Sequence, residues 1–270
     1  MKIGLAVAPE NALPSAFVVF RDKLEISLAK AARLGYDGVE LALLDPQQVD
    51  RRRIRAALAE HGLGLPVIST GQVFSEGKVW FTHPEERIRR AAVERIKGLI
   101  DLAAEFGAMV NIGRVRGYIH EGETHEVAEG RFLAGLAECA DHAAAAGVTM
   151  ILEPVNRYEI NYINSVPQAV AALGKLGRPN VKVMPDTFHM NIEDVSITGS
   201  LAAASALVGY VHLADSNRWA PGQGHLDFPA IIAALRSIGY DGYVTAEILP
   251  YPDPDTAAQQ AIAYLRQVIQ

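Results

Sequence analysis

Short apolar runs rich in β-branched residues alternate with longer helical patterns along the whole chain, and this alternation restricts the fold more than any other feature. The runs predict strands over Ile3–Ala8, Gly38–Leu41, Leu65–Ser69, Met109–Ile112, Thr149–Glu153, Val181–Asp186, Gly209–Leu213 and Tyr243–Glu247. The stretches between them predict helices over Lys23–Leu34, Asp50–His61, Pro84–Phe106, Glu126–Ala146, Val166–Leu176, Leu201–Leu207 and Pro229–Ile238, with Pro254–Val268 closing the chain. A strand followed by a helix, repeated, gives a parallel sheet, and eight such units close into a (β/α)8 TIM barrel of about 250 residues. The 270 residues fit one such domain, and no linker or composition shift divides them, so residues 1–270 are expected to form a single α/β barrel. Local punctuation agrees: Gly35, Gly107 and Gly239 sit where helices should stop, and Thr82, Pro84 and Glu85 have the spacing of a capping box opening the long third helix.

Composition excludes several partners. The net charge of −6, with no basic stripe, argues against nucleic acid, and Arg51-Arg52-Arg53 is expected to be a solvated helix face. No apolar run is long enough to span a membrane, and the chain starts directly on strand-like residues instead of a signal segment. The lone Cys139 excludes an intramolecular disulfide and fits a cytoplasmic protein with a small packed thiol. A homodimer or homotetramer is the expected assembly.

Four of the predicted strands end in a residue able to bind a divalent cation: Glu153, Asp186, His212 and Glu247. The C-terminal ends of parallel barrel strands converge on one face, so these residues are expected to meet around one ion. A carboxylate-rich set with one imidazole suits Mn²⁺, with Mg²⁺, Co²⁺ and Zn²⁺ as alternatives. Such an ion acidifies a C–H between a hydroxyl and a carbonyl, and two carboxylates could then move protons on opposite faces of the carbon. Proton return to the same carbon is epimerisation; return to its neighbour is aldose–ketose isomerisation. Arg114 and Arg116, following the fourth strand, offer planar forks for a substrate carboxylate, with Arg116 weighted slightly above Arg114. The segment Trp219–His225 is expected to be a Gly-hinged loop whose Trp219 shields the site from water, with His225 structural. The segment His120–His125 reads as a solvated loop, and the Pro-rich Leu249–Pro254 offers no phosphate cradle.

The segments Leu152–Glu159, Asp186–Glu193 and His212–Arg218 resemble the ketose 3-epimerases of the xylose-isomerase-like barrel superfamily, whose best-known members act on tagatose and allulose. Thr70-Gly71-Gln72, Thr82-His83-Pro84, Ile112–Gly117 and Asn217–His225 extend the resemblance to the bacterial 5-keto-L-gluconate epimerases of inositol breakdown. The resemblance implies that Glu153, Asp186, His212 and Glu247 ligate the metal and that Glu153 and Glu247 are the proton-transferring pair. It further implies that His189 and Arg218 bond substrate oxygens and that Glu159 orients a hydroxyl or supports Glu153. The function so implied is metal-dependent epimerisation of a free keto-sugar acid, 5-keto-L-gluconate to D-tagaturonate, through a cis-enediolate. A neutral ketohexose or ketopentose 3-epimerase and an aldose–ketose or hydroxypyruvate-type isomerase are the alternatives. A phosphodiesterase of the endonuclease-IV kind would need more metal ligands and a basic groove, neither of which the sequence carries.

Overall fold

The computed structural model describes residues 1–13 and 17–269. The chain runs β1 (Lys2–Pro9), β2 (Phe20–Asp22), α1 (Leu24–Leu34), β3 (Gly38–Ala42), α2 (Arg51–His61), β4 (Val67–Ser69), α3 (Gly71–Ser75), α4 (Glu86–Phe106) and β5 (Met109–Ile112). It continues α5 (His125–Ala145), β6 (Met150–Leu152), α6 (Val166–Leu176), β7 (Val181–Val183), α7 (Thr187–Glu193), α8 (Ile197–Ala204), β8 (Val211–Leu213), α9 (Phe228–Ser237), β9 (Tyr243–Ala246) and α10 (Pro254–Ile269). The strands pair in parallel in the order β7-β6-β5-β4-β3-β1-β9-β8, with the short β2 added beside β1. Bridges from Val183 to Val208 and from Asp186 to His212 join β7 to β8 and close the barrel. No helix among the described residues is long and apolar enough to cross a membrane.

Alternation along each strand decides what fills the barrel and what packs outside it. Leu152, Val183, Val211 and Ala246 face outward and join the main core between strands and helices. Their neighbours Ile151, Met184 and Tyr210 face inward and, with Val67, make an apolar floor. Two residues further along, the same inward positions hold Glu153, Asp186 and His212, and Glu247 follows the inward Thr245 in the same way. Burying each large side chain of the floor contributes roughly 1.5–3 kcal/mol, which secures the base on which the polar layer sits.

Every predicted strand is present. Gly35 and Gly107 end α1 and α4 in the left-handed conformation, with φ of 90° and 64°. The predicted capping box does not form. Helix α4 starts at Glu86 with Glu85 as an N-cap lacking a side-chain bond, while the Thr82 hydroxyl donates to the Tyr118 carbonyl at 2.7 Å. Thr82 is thereby committed to tying two loops together. Helices α3 and α7 and strand β2 were not predicted; at 5, 7 and 3 residues they are too short for periodicity to register.

Candidate metal centre and active site

Glu153 follows β6, Asp186 N-caps α7, His212 lies in β8 and Glu247 follows β9. One ligand atom from each lies within 4.8 Å of all the others. His212 Nδ1 is central, 3.5 Å from Glu153 Oε1, 3.7 Å from Asp186 Oδ2 and 3.8 Å from Glu247 Oε2. Both His212 Nδ1 and Asp186 Oδ2 are buried with no hydrogen-bond partner. Buried polar atoms are seldom orphaned, and here the orphans face one another across a gap the size of an ion. The donor set, three carboxylates and one imidazole, fits a hard or borderline divalent cation.

Before a cation is present the four groups hold their protons unequally. Burial pushes the Glu153 carboxyl up, but the close His212 ring, with His189, outweighs it and leaves it below the usual range. Asp186 is likewise pushed up by burial yet held well below by His189 and His212. Glu247 goes the other way: burial, reinforced by Glu153 and Asp186, lifts it to about 7 against the pull of His212 and Arg218. For His212, burial is opposed by the facing carboxylates, Glu40 first, which hold it well above an ordinary imidazole.

The remaining walls are supplied by further polar groups. His189 is buried in α7, with Nε2 3.9 Å from both Glu153 Oε1 and Asp186 Oδ2. Asn156 sets its tautomer. The Asn156 carbonyl oxygen accepts from the Tyr158 N–H at 3.0 Å, so its amide N–H faces His189 Nδ1 at 2.7 Å. His189 Nδ1 is thus an acceptor and Nε2 carries the proton into the cleft. Burial also lowers the His189 pKa and favours the neutral ring. Arg218 donates to Glu159 Oε1 at 2.7 Å and Glu247 Oε2 at 2.9 Å, with the Phe17 ring 3.6 Å from its guanidinium carbon. Its φ of 62° is rare for a side-chain-bearing residue. The cleft is lined by Glu153, Glu159, His189, Arg218, Glu247 and Arg114 among others.

Arg114 reaches this cleft and Arg116 does not, which corrects the preference drawn from sequence. Strand β5 stops at Ile112 and residues 114–116 curl into a 3-10 turn, so no strand alternation sets the directions of the two side chains. Arg116 is fully buried and donates to the carbonyls of Tyr162 (2.7 Å), Gly113 (2.9 Å), Glu153 (2.7 Å) and Ile163 (2.8 Å). Burial lowers its pKa to about 10. It is a tie-rod behind Glu153 and takes no place in the cleft lining. Arg114 sits between Phe17 and Phe74, its guanidinium 3.8 Å from Glu159 Oε2.

The loop after β8 also differs from expectation. Asp215 is buried, and its carboxylate accepts from the backbone N–H of Ser216 (2.8 Å), Gly222 (2.8 Å) and Leu226 (3.1 Å). A Cβ on Gly224 would stand 2.2 Å from Asp215 Oδ1, so that glycine serves close packing instead of a hinge. Trp219 stacks on Tyr251 with centroids 4.1 Å apart and takes no place in the cleft lining. His225 accepts or donates at Ser216, a structural role as expected.

Three contributors escaped the sequence analysis: Asn111, whose amide donates to Glu153 Oε2 at 2.9 Å, Asn156, and Glu40, whose carboxylate lies 2.8 Å from His212 Nε2. A glutamate inside the buried run Gly38–Ala42 was the one available signal, since a lone acid in an apolar strand needs a partner.

The mouth of this closed (β/α)8 barrel gathers three carboxylates and an imidazole, a donor set that could hold a divalent cation. The chain belongs to the family described as Xylose isomerase-like TIM barrel, whose profile matches residues 28–268. A ketose 3-epimerase of Arthrobacter globiformis is 34% identical over 232 residues, covering 83% of this chain and 77% of the relative. A 3-dehydro-D-guloside 4-epimerase of Escherichia coli K12 is 29% identical over 279 aligned residues, covering 98% and 99%. Among solved structures, the D-allulose 3-epimerase of a Methylomonas species in complex with D-allulose superposes with a TM-score of 0.83 at 27% identity, covering 99% of this chain and 96% of that one.

Proposed function

We propose that the protein is a divalent-metal-dependent epimerase of free keto-sugars, inverting the carbon beside the ketone by two-base proton transfer through a cis-enediolate. The observation that carries this is the pairing of Glu153 and Glu247, from strands separated by β7 and β8, around one orphaned imidazole nitrogen. A cation held by Glu153, Asp186, His212 and Glu247 would polarise the substrate's carbonyl and hydroxyl oxygens and acidify the C–H between them. Glu153 takes the proton from one face and Glu247 returns one to the other face. In the reverse direction the roles exchange. The His189 Nε2–H and the Arg218 guanidinium bond the oxygens beside the reacting carbon, and Glu159 holds Arg218 in place. The epimerase names of the relatives support this reading.

The substrate proposed is the keto-sugar acid pair 5-keto-L-gluconate and D-tagaturonate, a step of inositol breakdown, with Arg114 as the partner of the carboxylate. A neutral ketohexose or ketopentose is the second reading, favoured by Glu159 already standing 3.8 Å from Arg114. One panel separates them. Incubation with Mn²⁺ in ²H₂O should exchange one carbon-bound proton of D-tagaturonate, and Arg114→Ala should cut that rate about 10- to 100-fold while changing D-tagatose and D-allulose turnover little. Equal use of the neutral ketoses with no penalty in the variant would select the second reading. No exchange with any of the three would remove the epimerase, and a shifted carbonyl in the product would identify an isomerase.

A further inference from the structure

The proposed chemistry employs one nitrogen of His212 and leaves its other partner unexplained. Glu40 lies in the middle of β3, with no solvent exposure, and its Oε2 is 2.8 Å from His212 Nε2. Its other oxygen is buried with no hydrogen-bond partner. β3 and β8 are separated by β1 and β9, so the contact spans the barrel interior. Gly4 of β1 leaves that interior clear; a Cβ there would stand 2.2 Å from Thr245 Oγ1. A half-satisfied carboxylate at the centre of a barrel is a poor structural choice, and an apolar residue would cost less. Its position is informative. A carboxylate can only accept, so the proton of the His212 ring that remains when Nδ1 gives its lone pair to a cation belongs on Nε2, facing Glu40. Nδ1 is the atom that points at Glu153, Asp186 and Glu247.

We propose that Glu40 is a positioning residue for the metal centre: it fixes the Nε2–H form and the orientation of His212, and so tightens the hold of the four-residue cluster on a divalent cation. This rests on the cluster being a cation site. The test is calorimetric titration of the metal-depleted protein with Mn²⁺ alone, for the wild type, Glu40→Gln and Glu40→Asp, beside the ¹⁵N spectrum of the wild type loaded with diamagnetic Mg²⁺. The wild type should take up one Mn²⁺, Glu40→Gln should bind it about 10- to 100-fold more weakly, and Glu40→Asp should recover part of the loss. The His212 Nε2 of the loaded wild type should carry a hydrogen-bonded proton, a readout that stands even if a variant fails to fold. Mn²⁺ binding by a folded Glu40→Gln within about threefold of wild type, or an unprotonated Nε2, would overturn the role of Glu40 alone. No uptake by the wild type would overturn the cation site and this role together.

Discussion

Glu247→Gln is expected to lower keto-sugar epimerisation by at least about 10³-fold without unfolding the barrel. Gln fills the same space and can still meet Arg218, which lies 2.9 Å from Glu247 Oε2, but it neither takes nor gives a proton. It also removes one negative ligand from the cluster. Glu153→Gln should be comparably severe, because it removes the other proton-transferring carboxylate of the proposed pair. The two variants should differ in isotope exchange. With one base lost, the remaining one can still exchange the proton of the epimer whose C–H faces it, so each variant should retain slow exchange from one epimer and almost none from the other. Initial rates of conversion and of deuterium wash-in, from both epimers, make the comparison. A Glu247→Gln enzyme within tenfold of wild type, or identical exchange from both epimers, would contradict two-base transfer.

Arg116→Leu should be the most damaging change outside the cluster, lowering stability by on the order of 4 kcal/mol. The guanidinium makes four hydrogen bonds to buried carbonyls, all lost with leucine; those of Gly113 and Ile163 keep a backbone N–H partner, and those of Tyr162 and Glu153 lose their side-chain donor. Each lost hydrogen bond costs about 1 kcal/mol. For a chain of this size that is a fall in Tm of roughly 10 °C. Because one carbonyl is that of Glu153, the folded fraction should also bind Mn²⁺ more weakly. Thermal melts of the metal-depleted protein check this, with Arg114→Ala as the contrast expected to melt within a few degrees of wild type. A melt of Arg116→Leu indistinguishable from wild type would place the guanidinium elsewhere.

These two arginines also mark where sequence stops being informative. Strands and helices were legible because alternation and helical periodicity repeat over many residues, and strand ends inherit their facing from the pleat. Glu153, Asp186, His212 and Glu247 each lie two positions beyond an inward Ile151, Met184, Tyr210 and Thr245, so one rule placed them all. Arg114 and Arg116 lie beyond Ile112, where β5 gives way to a 3-10 turn, and no pleat connects their directions. The loop holding Trp219 was misjudged for a related reason. Its glycines advertise freedom, and the buried Asp215 that pins it exerts its effect only through backbone N–H groups brought near by the fold. Glu40 depends on His212, 172 residues away, a pairing that exists only once the barrel is closed.

The most direct measurement is anomalous diffraction from a crystal grown with Mn²⁺. One strong peak is expected within about 2.0–2.3 Å of a carboxylate oxygen of Glu153, Asp186 and Glu247 and of His212 Nδ1. Saturating Mn²⁺ with no peak among these four residues, or a protein that keeps full epimerase activity after its metal has been chelated away, would contradict the assignment.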